Sequence, residues 1–182
     1  MMPLRFAILV TLVCLVASGT AKAITRQPVT AENGMVVTSQ HIASEVGAEI
    51  LKSGGNAVDA AVAAGYALAV VNPCCGNIGG GGFATLHLAD GREVFVNFRE
   101  TAPGAATETM YLDAAGEVIE GLSLKGYKSV AVPGTVLGLD TLLTQYGTLT
   151  RAAVMAPAIR LAEEGFVLNE GDAAILAGSA SH

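Results

Sequence analysis

The chain has 182 residues, of which 52% are hydrophobic and 14% are charged, and this balance excludes a disordered charged tail. The formal net charge of −6 leaves no basic surface large enough to neutralise phosphates, so a nucleic acid is not an expected partner.

Residues 1–23 have the features of a secretory signal peptide. Arg5 precedes an apolar run over 6–16, and an Ala-Lys-Ala cleavage pattern ends at Ala23. The apolar run is shorter than the roughly 20 residues that span a bilayer, so a stable membrane span is not expected. We therefore expect cleavage after Ala23, export to the periplasm or the medium, and a mature chain over 24–182.

The first part of that mature chain predicts one strand and two helices. Residues 34–38 (GMVVT) have the character of a short buried strand. Apolar residues at helical spacing predict a helix over 41–52, with Ser39 as its candidate cap. A second helix over 57–71 follows Asn56, a good N-cap, and consists almost entirely of Ala and Val. Because its side chains are small on every face, we expect this helix to be buried on all sides.

A β-hairpin is predicted after this helix. Strand-like runs over 83–89 and 92–98 are joined by Asp90-Gly91, a strong hairpin signal. Both runs carry apolar residues on both faces, so we expect a sheet covered by helices on both sides. The four glycines over 79–82 lack the Lys-Ser/Thr and helix of a phosphate-binding loop. They are expected to allow positive φ or the close approach of another segment.

Two more helices are predicted further along the chain. One begins at Pro133-Gly134-Thr135 and ends at Tyr146, and the other extends from about Thr150 to Glu164. Residues 175–182 contain no stop signal, and the pattern there is that of an interrupted chain.

The cysteines and histidines do not predict a metal site. With Cys14 removed in the signal peptide, Cys74 and Cys75 remain, and as sequence neighbours they cannot link two elements. They form either a vicinal disulfide or two small apolar side chains packed beside a loop, and the second is favoured. His41 and His87 are far apart in sequence, and no Cys-x-x-Cys occurs.

Arg99 is the charged residue that most strongly indicates a functional site. It stands at the end of the second predicted strand, where its guanidinium can reach a site at the rim of the sheet. Arginine suits two-point recognition of a carboxylate. A salt bridge to Glu100 is the alternative, and the pattern alone favours that alternative.

No catalytic triad is visible, because no serine lies in Gly-x-Ser-x-Gly and the internal histidines have no companion motif. Helix faces or turns account for the other acidic residues considered: Asp59, Asp90, Asp113, Glu163 and Glu164.

Four blocks of sequence together resemble the N-terminal part of the γ-glutamyltransferases, also called γ-glutamyl transpeptidases or glutathione hydrolases. In the order of that family, they are residues 53–61 (SGGNAVDAA), 76–83 (GNIGGGGF), 98–103 (FRETAP) and 132–135 (VPGT). The likeness covers roughly residues 34–170 and corresponds to the opening portion of a family member.

This resemblance implies an α/β fold, the αββα sandwich of the N-terminal nucleophile hydrolases, of which only the N-terminal part is present. Family members are precursors that cleave themselves into a large and a small subunit. The new N-terminal Thr of the small subunit attacks the γ-glutamyl amide of glutathione or a related compound, and its α-amine can serve as the base. The γ-glutamyl group then passes to water or to an amino-acid or peptide acceptor. No cofactor or metal is implied.

The resemblance also assigns roles by position. Arg99 matches the arginine that holds the α-carboxylate of the γ-glutamyl group, so substrate binding becomes its favoured role. Glu100 would orient Arg99 or neighbouring backbone, and the glycines over 79–82 would be structural.

The nucleophilic Thr belongs to a later portion of the family, and Thr135, inside a helix-opening Pro-Gly-Thr, is not a substitute for it. We therefore expect these 182 residues to be inactive without a small subunit. A cephalosporin-acylase-like enzyme of the same superfamily and a non-catalytic remnant that binds γ-glutamyl compounds are the alternatives.

Overall fold

The computed structural model describes residues 28–180, and the chain divides into one unit that ends at Glu32 and a second that begins at Asn33. Residues 28–32 are exposed and contain no helix or strand. The predicted signal peptide over 1–23 lies outside the described residues. Within 28–180, no helix is both long and apolar enough to cross a membrane.

The second unit contains all the helices and strands described. They are α1 (His41–Lys52), α2 (Ala57–Val71), β1 (Phe83–His87), β2 (Glu93–Asn97), a 3₁₀ turn (Tyr127–Ser129), α3 (Thr135–Tyr146), α4 (Arg151–Glu164) and α5 (Glu170–Ser179). The predictions of α1, α2, α3 and α4 are confirmed.

Polar side chains set the starts of the first two helices. Gln40 caps α1 in place of the predicted Ser39, because its side chain accepts a hydrogen bond from a backbone N–H of the first turn. At α2, Asn56 accepts from the N–H groups of Val58 and Asp59, and Asp59 accepts in return from the N–H of Asn56. This reciprocal pair is a capping box.

Helix α2 is at the centre of the core and packs against α1, α3 and α4. Small residues allow these contacts: a Cβ at Gly65 would lie 3.1 Å from Cδ2 of Leu139 on α3, and one at Gly47 of α1 would lie 3.3 Å from the carbonyl oxygen of Ala60. The prediction of burial on all sides holds for most of α2, although Ala57 and Ala61 are exposed.

The predicted hairpin is confirmed. β1 and β2 are antiparallel, with Thr85 opposite Phe95 at the centre of the ladder. Leu88 donates to the carbonyl oxygen of Arg92 (2.9 Å), and the loop between them ends at Gly91, which has a φ of 84°. A left-handed glycine at the end of a three-residue loop is the usual geometry of such a hairpin, and only glycine adopts it at low cost.

Helices cover one face of this hairpin within the described residues. Ala84, Leu86 and Val96 are half-buried and pack against the core. Phe83 and Phe95 lie on the opposite face and are 54% and 63% exposed. The expectation of a sheet covered on both sides is therefore met on one side only, because no helix described here packs against the second face.

The predicted strand over 34–38 is absent from the described structure. The alternation expected of a strand is present, since Met35 and Val37 are exposed while Val36 and Thr38 are half-buried. A strand is completed by hydrogen bonds to a neighbouring strand, and within residues 28–180 this segment has none.

Helix α5 was not expected from the sequence. Asn169 caps it by accepting from the N–H of Asp172 (2.9 Å), and Nε2 of Gln40 donates to Oδ2 of Asp172 (2.6 Å), which ties α5 to the start of α1. No residue of α5 is buried, and its apolar residues form one consecutive run over 173–177 (AAILA) instead of recurring at the spacing from which helices are recognised.

The favoured prediction for the two cysteines is wrong. Cys74 and Cys75 are both exposed instead of packed, and their sulfur atoms lie beside one another. The loop that carries them leaves the end of α2 on the outside of the core, so no apolar surface within residues 28–180 covers the two side chains.

Candidate functional site

Asn77 orders the loop that leads from α2 to β1. Its Oδ1 accepts hydrogen bonds from the N–H of Gly80 (2.7 Å) and from the hydroxyl of Thr135 (2.9 Å). Its Nδ2 donates to the carbonyl oxygen of Cys75 (3.1 Å). One amide side chain therefore joins the cysteine pair, the glycines and the N-terminus of α3.

The four glycines, named here the glycine segment (residues 79–82), lie between the N-terminus of α3 and the end of β2. The carbonyl oxygen of Gly80 accepts from the N–H groups of Gly134 (2.7 Å) and Thr135 (3.0 Å). Gly82 and Phe98 exchange two backbone hydrogen bonds (3.3 and 3.0 Å). The predicted close approach of another segment is present, whereas none of the four glycines has a positive φ.

Gly81 lies close against the segment that carries Arg99, and with Gly79 it offers a matched pair of variants. A Cβ at Gly81 would lie 2.6 Å from the carbonyl oxygen of Phe98 and 2.7 Å from the backbone nitrogen of Glu100, whereas one at Gly79 meets nothing within 4 Å. We expect Gly81→Ala to destabilise the protein by about 1–3 kcal/mol, as overpacking does. Gly79→Ala should change stability by less than about 1 kcal/mol. Urea unfolding measures both values, and equal losses would contradict the close approach.

Arg99 lies just beyond the end of β2, at the rim of the sheet. Its N–H donates to Oδ1 of Asn97 (3.0 Å), and its Nε donates to Oε2 of Glu100 (2.9 Å). The Arg99 side chain is 66% exposed, and its two terminal nitrogens make no hydrogen bond within the described residues. The ion pair with Glu100 is therefore present, and it leaves the outer edge of the guanidinium accessible. Carboxylate binding by Arg99 stays a prediction.

Glu100 supplies the negative charge beside Arg99. The hydrogen bond from its own backbone N–H is the largest influence on its pKa and lowers it, while burial acts in the opposite direction. The Arg99 guanidinium and the N–H of Gly81 lower the pKa further. Glu100 is therefore ionised at neutral pH and holds the Nε edge of Arg99.

An aromatic pair flanks the guanidinium. The central guanidinium carbon of Arg99 lies 5.9 Å from the centre of the Phe83 ring, within the range of a cation–π interaction. The Phe83 ring stacks on that of Phe95, with ring centres 5.8 Å apart. Arg99 is thus placed by an anion and by an aromatic ring, and it stands beside the exposed apolar face of the hairpin.

The remaining candidates are not gathered around Arg99. Most lie at the ends of helices or strands or in turns. His41 begins α1, His87 ends β1, and Glu163 and Glu164 end α4. Asp90 pairs with Arg92 in the hairpin turn, and Asp113 accepts from two backbone N–H groups of its own turn. Thr135 is buried and its hydroxyl is bonded to Asn77.

Asp59 is a fully buried carboxylate that the sequence had explained as part of a helix face. It accepts from the N–H (2.9 Å) and the hydroxyl (2.7 Å) of Thr148, from the N–H of Leu149 (3.1 Å) and from that of Asn56 (2.8 Å). Burial is the largest influence on the pKa of Asp59 and raises it, but these hydrogen bonds together outweigh burial and hold the pKa below 3.8. Asp59 therefore joins the start of α2 to the turn between α3 and α4.

Two surface depressions lie away from Arg99. One of about 210 Å³ is between α1 and α4, and one of about 330 Å³ is between residues 35–38 and α2. The first is lined by Glu45, Glu49 and Arg160 among others, and the second is mainly apolar. Neither depression is lined by Arg99, Glu100, Phe83 or Phe95.

Sequence reasoning found Arg99 and Glu100 but missed two residues that place them. Phe83 was predicted only as a strand residue, and Asn77 only as a loop residue. An amide side chain directly before a run of glycines is the one signal that points to Asn77, since Asn often bonds nearby backbone in turns.

Comparisons with known proteins show what this chain is similar to. The model of the gamma-glutamyltranspeptidase family matches residues 43–181. The glutathione hydrolase proenzyme of Pseudomonas sp. (strain A14) is 63% identical over 154 residues, which are 85% of this chain and 27% of that relative. The chain therefore spans about a quarter of that relative's length.

Solved structures give the same grouping. The Helicobacter pylori gamma-glutamyltranspeptidase has a TM-score of 0.82 and 46% identity, over 85% of this chain and 44% of its own. The cephalosporin acylase from Bacillus halodurans has a TM-score of 0.77 and 36% identity, over 90% and 30%. The predicted α/β fold class is confirmed by these neighbours.

Proposed function

This chain belongs to the γ-glutamyltranspeptidase family, and on that premise we propose that it is part of an enzyme that cleaves the γ-glutamyl amide of glutathione and related compounds. The reaction proceeds through a γ-glutamyl-enzyme that is passed to water or to an amino-acid or peptide acceptor. The attacking Thr is supplied by a small subunit, produced by self-cleavage of a longer precursor, that is not among these 182 residues.

The observation that carries this proposal is the exposed guanidinium of Arg99, held between Glu100 and Phe83 at the rim of the sheet. A γ-glutamyl group carries an α-carboxylate at the end opposite to its scissile amide. Arginine binds such a carboxylate through two parallel hydrogen bonds. We assign this contact to Arg99, and the positioning of its Nε edge to Glu100.

The glycine segment contributes to the site through its lack of side chains. Because Gly81 has no Cβ, its backbone lies against Phe98 and Glu100, and its N–H points to the Glu100 carboxylate. This contact adds to the larger influences that lower the pKa of Glu100, and the Glu100 carboxylate in turn holds the Nε edge of Arg99. Pre-placing the arginine in this way reduces the entropy lost when the donor binds.

The remaining parts of the proposal concern the export of the protein and the portion of the precursor that this chain forms. Residues 1–23 act as a signal peptide cut after Ala23, and residues 24–182 form the N-terminal portion of the large subunit in the periplasm or outside the cell. These assignments rest on the sequence patterns described above.

The acylase alternative is supported by the TM-score of 0.77 with a cephalosporin acylase, which is lower than the 0.82 with a gamma-glutamyltranspeptidase. The two activities differ in the acyl group that they accept. A glutaryl amide keeps the terminal carboxylate of a γ-glutamyl amide but lacks its α-amine. A pair of anilides that differ only in this amine therefore separates the two functions.

We expect the full-length, processed enzyme to hydrolyse γ-glutamyl-p-nitroanilide at least about a hundredfold more efficiently than glutaryl-p-nitroanilide, because a site built around a polar group rejects the analogue that lacks it. Release of p-nitroaniline measures kcat/KM for both. Preference for the glutaryl compound would support the acylase function, and hydrolysis of neither would support a non-catalytic remnant. The 182-residue chain alone is the control and should release no product.

A further inference from the structure

Asn77 has no hydrogen bond to Arg99 within the described residues, yet its side chain holds the segment that lies against Glu100. Its Oδ1 accepts from the N–H of Gly80 (2.7 Å) and from the hydroxyl of Thr135 (2.9 Å). Asn77 is itself exposed, whereas Thr135 is buried at the start of α3. The two hydrogen bonds therefore fix the position of Gly80 relative to a helix of the core.

The peptide group between Gly80 and Gly81 transmits this position. Its carbonyl oxygen accepts from the N–H groups of Gly134 (2.7 Å) and Thr135 (3.0 Å). The peptide bonds of the described residues are trans, and in a planar trans peptide group the C=O and the N–H point in opposite directions. A carbonyl held against α3 therefore aims the N–H of Gly81 away from α3, toward the Glu100 carboxylate.

A run of glycines needs such an anchor. Glycine without a Cβ adopts many backbone conformations at similar cost, so four in succession do not define one path by themselves. The path matters here because a Cβ at Gly81 would lie 2.7 Å from the backbone nitrogen of Glu100 and 2.8 Å from its Oε2. A small displacement of the glycine segment therefore changes what Glu100 lies against.

We propose that Asn77 is a positioning residue for binding of the donor's α-carboxylate: through the peptide group of Gly80 and Gly81 it holds Glu100, and through Glu100 it holds Arg99. This inference rests on the proposed function and adds a residue that acts from outside the contact itself. The α-carboxylate lies at the end of the γ-glutamyl group opposite to the scissile amide. A loosened Arg99 therefore weakens binding of the substrate and of the transition state alike, which raises KM and leaves kcat unchanged.

Steady-state kinetics on the full-length, processed enzyme tests this role. We expect Asn77→Ala to raise the KM for γ-glutamyl-p-nitroanilide about tenfold and to leave kcat within about twofold. Asn77→Asp keeps an oxygen that can accept both hydrogen bonds, so its KM should return to within about threefold of the wild-type value. An unchanged KM in Asn77→Ala, a loss confined to kcat, or no recovery in Asn77→Asp would overturn the proposal.

Asn72→Ala is the matched control from the same loop. Nδ2 of Asn72 donates to Oγ of Ser39 (3.1 Å), which lies before α1 and outside the glycine segment. The variant loses a side-chain hydrogen bond of the loop and should keep KM within about twofold, as surface substitutions do. An increase as large as that of Asn77→Ala would mean that any disturbance of the loop affects KM, and it would overturn the specific role of Asn77.

A double-mutant cycle tests the route through Arg99. Independent effects on KM multiply, whereas residues that act through one contact do not. In the Arg99→Ala background we therefore expect Asn77→Ala to raise KM no further, and a further tenfold increase would overturn the proposed route. If the wild-type enzyme is active and the Asn77 variants behave otherwise than expected, only the role of Asn77 is overturned. A wild-type enzyme that does not hydrolyse the γ-glutamyl donor would overturn the proposed function as well.

Hydrogen exchange of a peptide that contains residues 79–82 gives a readout that does not involve γ-glutamyl chemistry. Asn77→Ala should speed exchange in this peptide about tenfold, because local opening sets the exchange rate. Asn77→Asp should restore most of the protection, and Asn72→Ala should leave it unchanged. Equal exchange in Asn77→Ala and in the wild-type protein would show that Asn77 does not hold the glycine segment and would overturn the proposal.

Discussion

Replacing Arg99 by Ala in the processed enzyme is expected to raise the KM for γ-glutamyl-p-nitroanilide about a hundredfold, which corresponds to the loss of about 3 kcal/mol of charge-assisted hydrogen bonding. Arg99→Lys keeps the charge but loses the two-point geometry, so an intermediate increase is expected. Steady-state kinetics on the processed enzyme measures both effects.

A donor without the α-carboxylate separates binding from structural damage. For γ-aminobutyryl-p-nitroanilide, Arg99→Ala should leave kcat/KM unchanged, because the group that Arg99 binds is missing from this donor. Arg92→Ala is the matched control, since Arg92 is exposed and pairs with Asp90 in the hairpin turn. Equal losses for the two donors, or an unchanged KM for the γ-glutamyl donor, would remove the assigned contact.

Replacing Asp59 by Asn should cause the largest loss of stability of the variants considered, about 3 kcal/mol. The Asp59 carboxylate accepts from three backbone N–H groups and one hydroxyl. In the variant, one oxygen becomes an NH₂ group and faces donors that are then left unpaired in the interior. No basic side chain within the described residues pairs with Asp59, so these hydrogen bonds alone stabilise its charge.

Asp140→Asn is the matched control for Asp59→Asn. Asp140 forms an ion pair with Arg151 near the surface, and such pairs contribute about 1 kcal/mol or less. Urea unfolding of the two variants should therefore give clearly different free energies. Similar values would mean that the hydrogen bonds to Asp59 do not stabilise the junction of α2 with the turn before α4.

Acid should remove the contribution of Asp59. The pKa of Asp59 in the folded protein is held below 3.8, its value in the unfolded chain. At pH values around and between these two pKa values the unfolded state binds more protons than the folded state, so the free energy of unfolding rises with pH. The contribution is complete above about pH 4 and is lost as the pH falls through the lower pKa of the folded state. The unfolding free energy of wild type minus that of Asp59→Asn, measured against pH, isolates this residue, and a difference independent of pH would contradict the assignment.

Local signals in the sequence predicted the helices well. Asn56 stands directly before α2, and Thr150 and Gly165 stand directly before and after α4, where a cap or a stop is needed. The hairpin was equally local, because Gly91 is the residue that a tight turn requires at positive φ. These features depend on residues that are neighbours in sequence.

Features that depend on distant partners were predicted less well. Residues 34–38 have the pattern of a strand, but a strand also needs a second strand beside it. Whether the cysteine pair is packed or exposed depended on which other segments lie beside its loop. Helix α5 has a clear cap at Asn169, but its apolar residues are consecutive over 173–177, so the sequence shows no helical periodicity there.

By itself, the sequence determined the family resemblance, most helix boundaries, the hairpin and the choice of Arg99, because each of these follows from residue types at short spacing. Only the tertiary structure decided which groups surround that arginine. It brought Phe83 and Gly81 to the rim of the sheet where Arg99 and its sequence neighbour Glu100 lie, and it placed Asn77 against Thr135 at the start of α3. The physical reason is that these contacts join segments far apart in the chain, and their formation depends on how the helices and the hairpin pack in three dimensions.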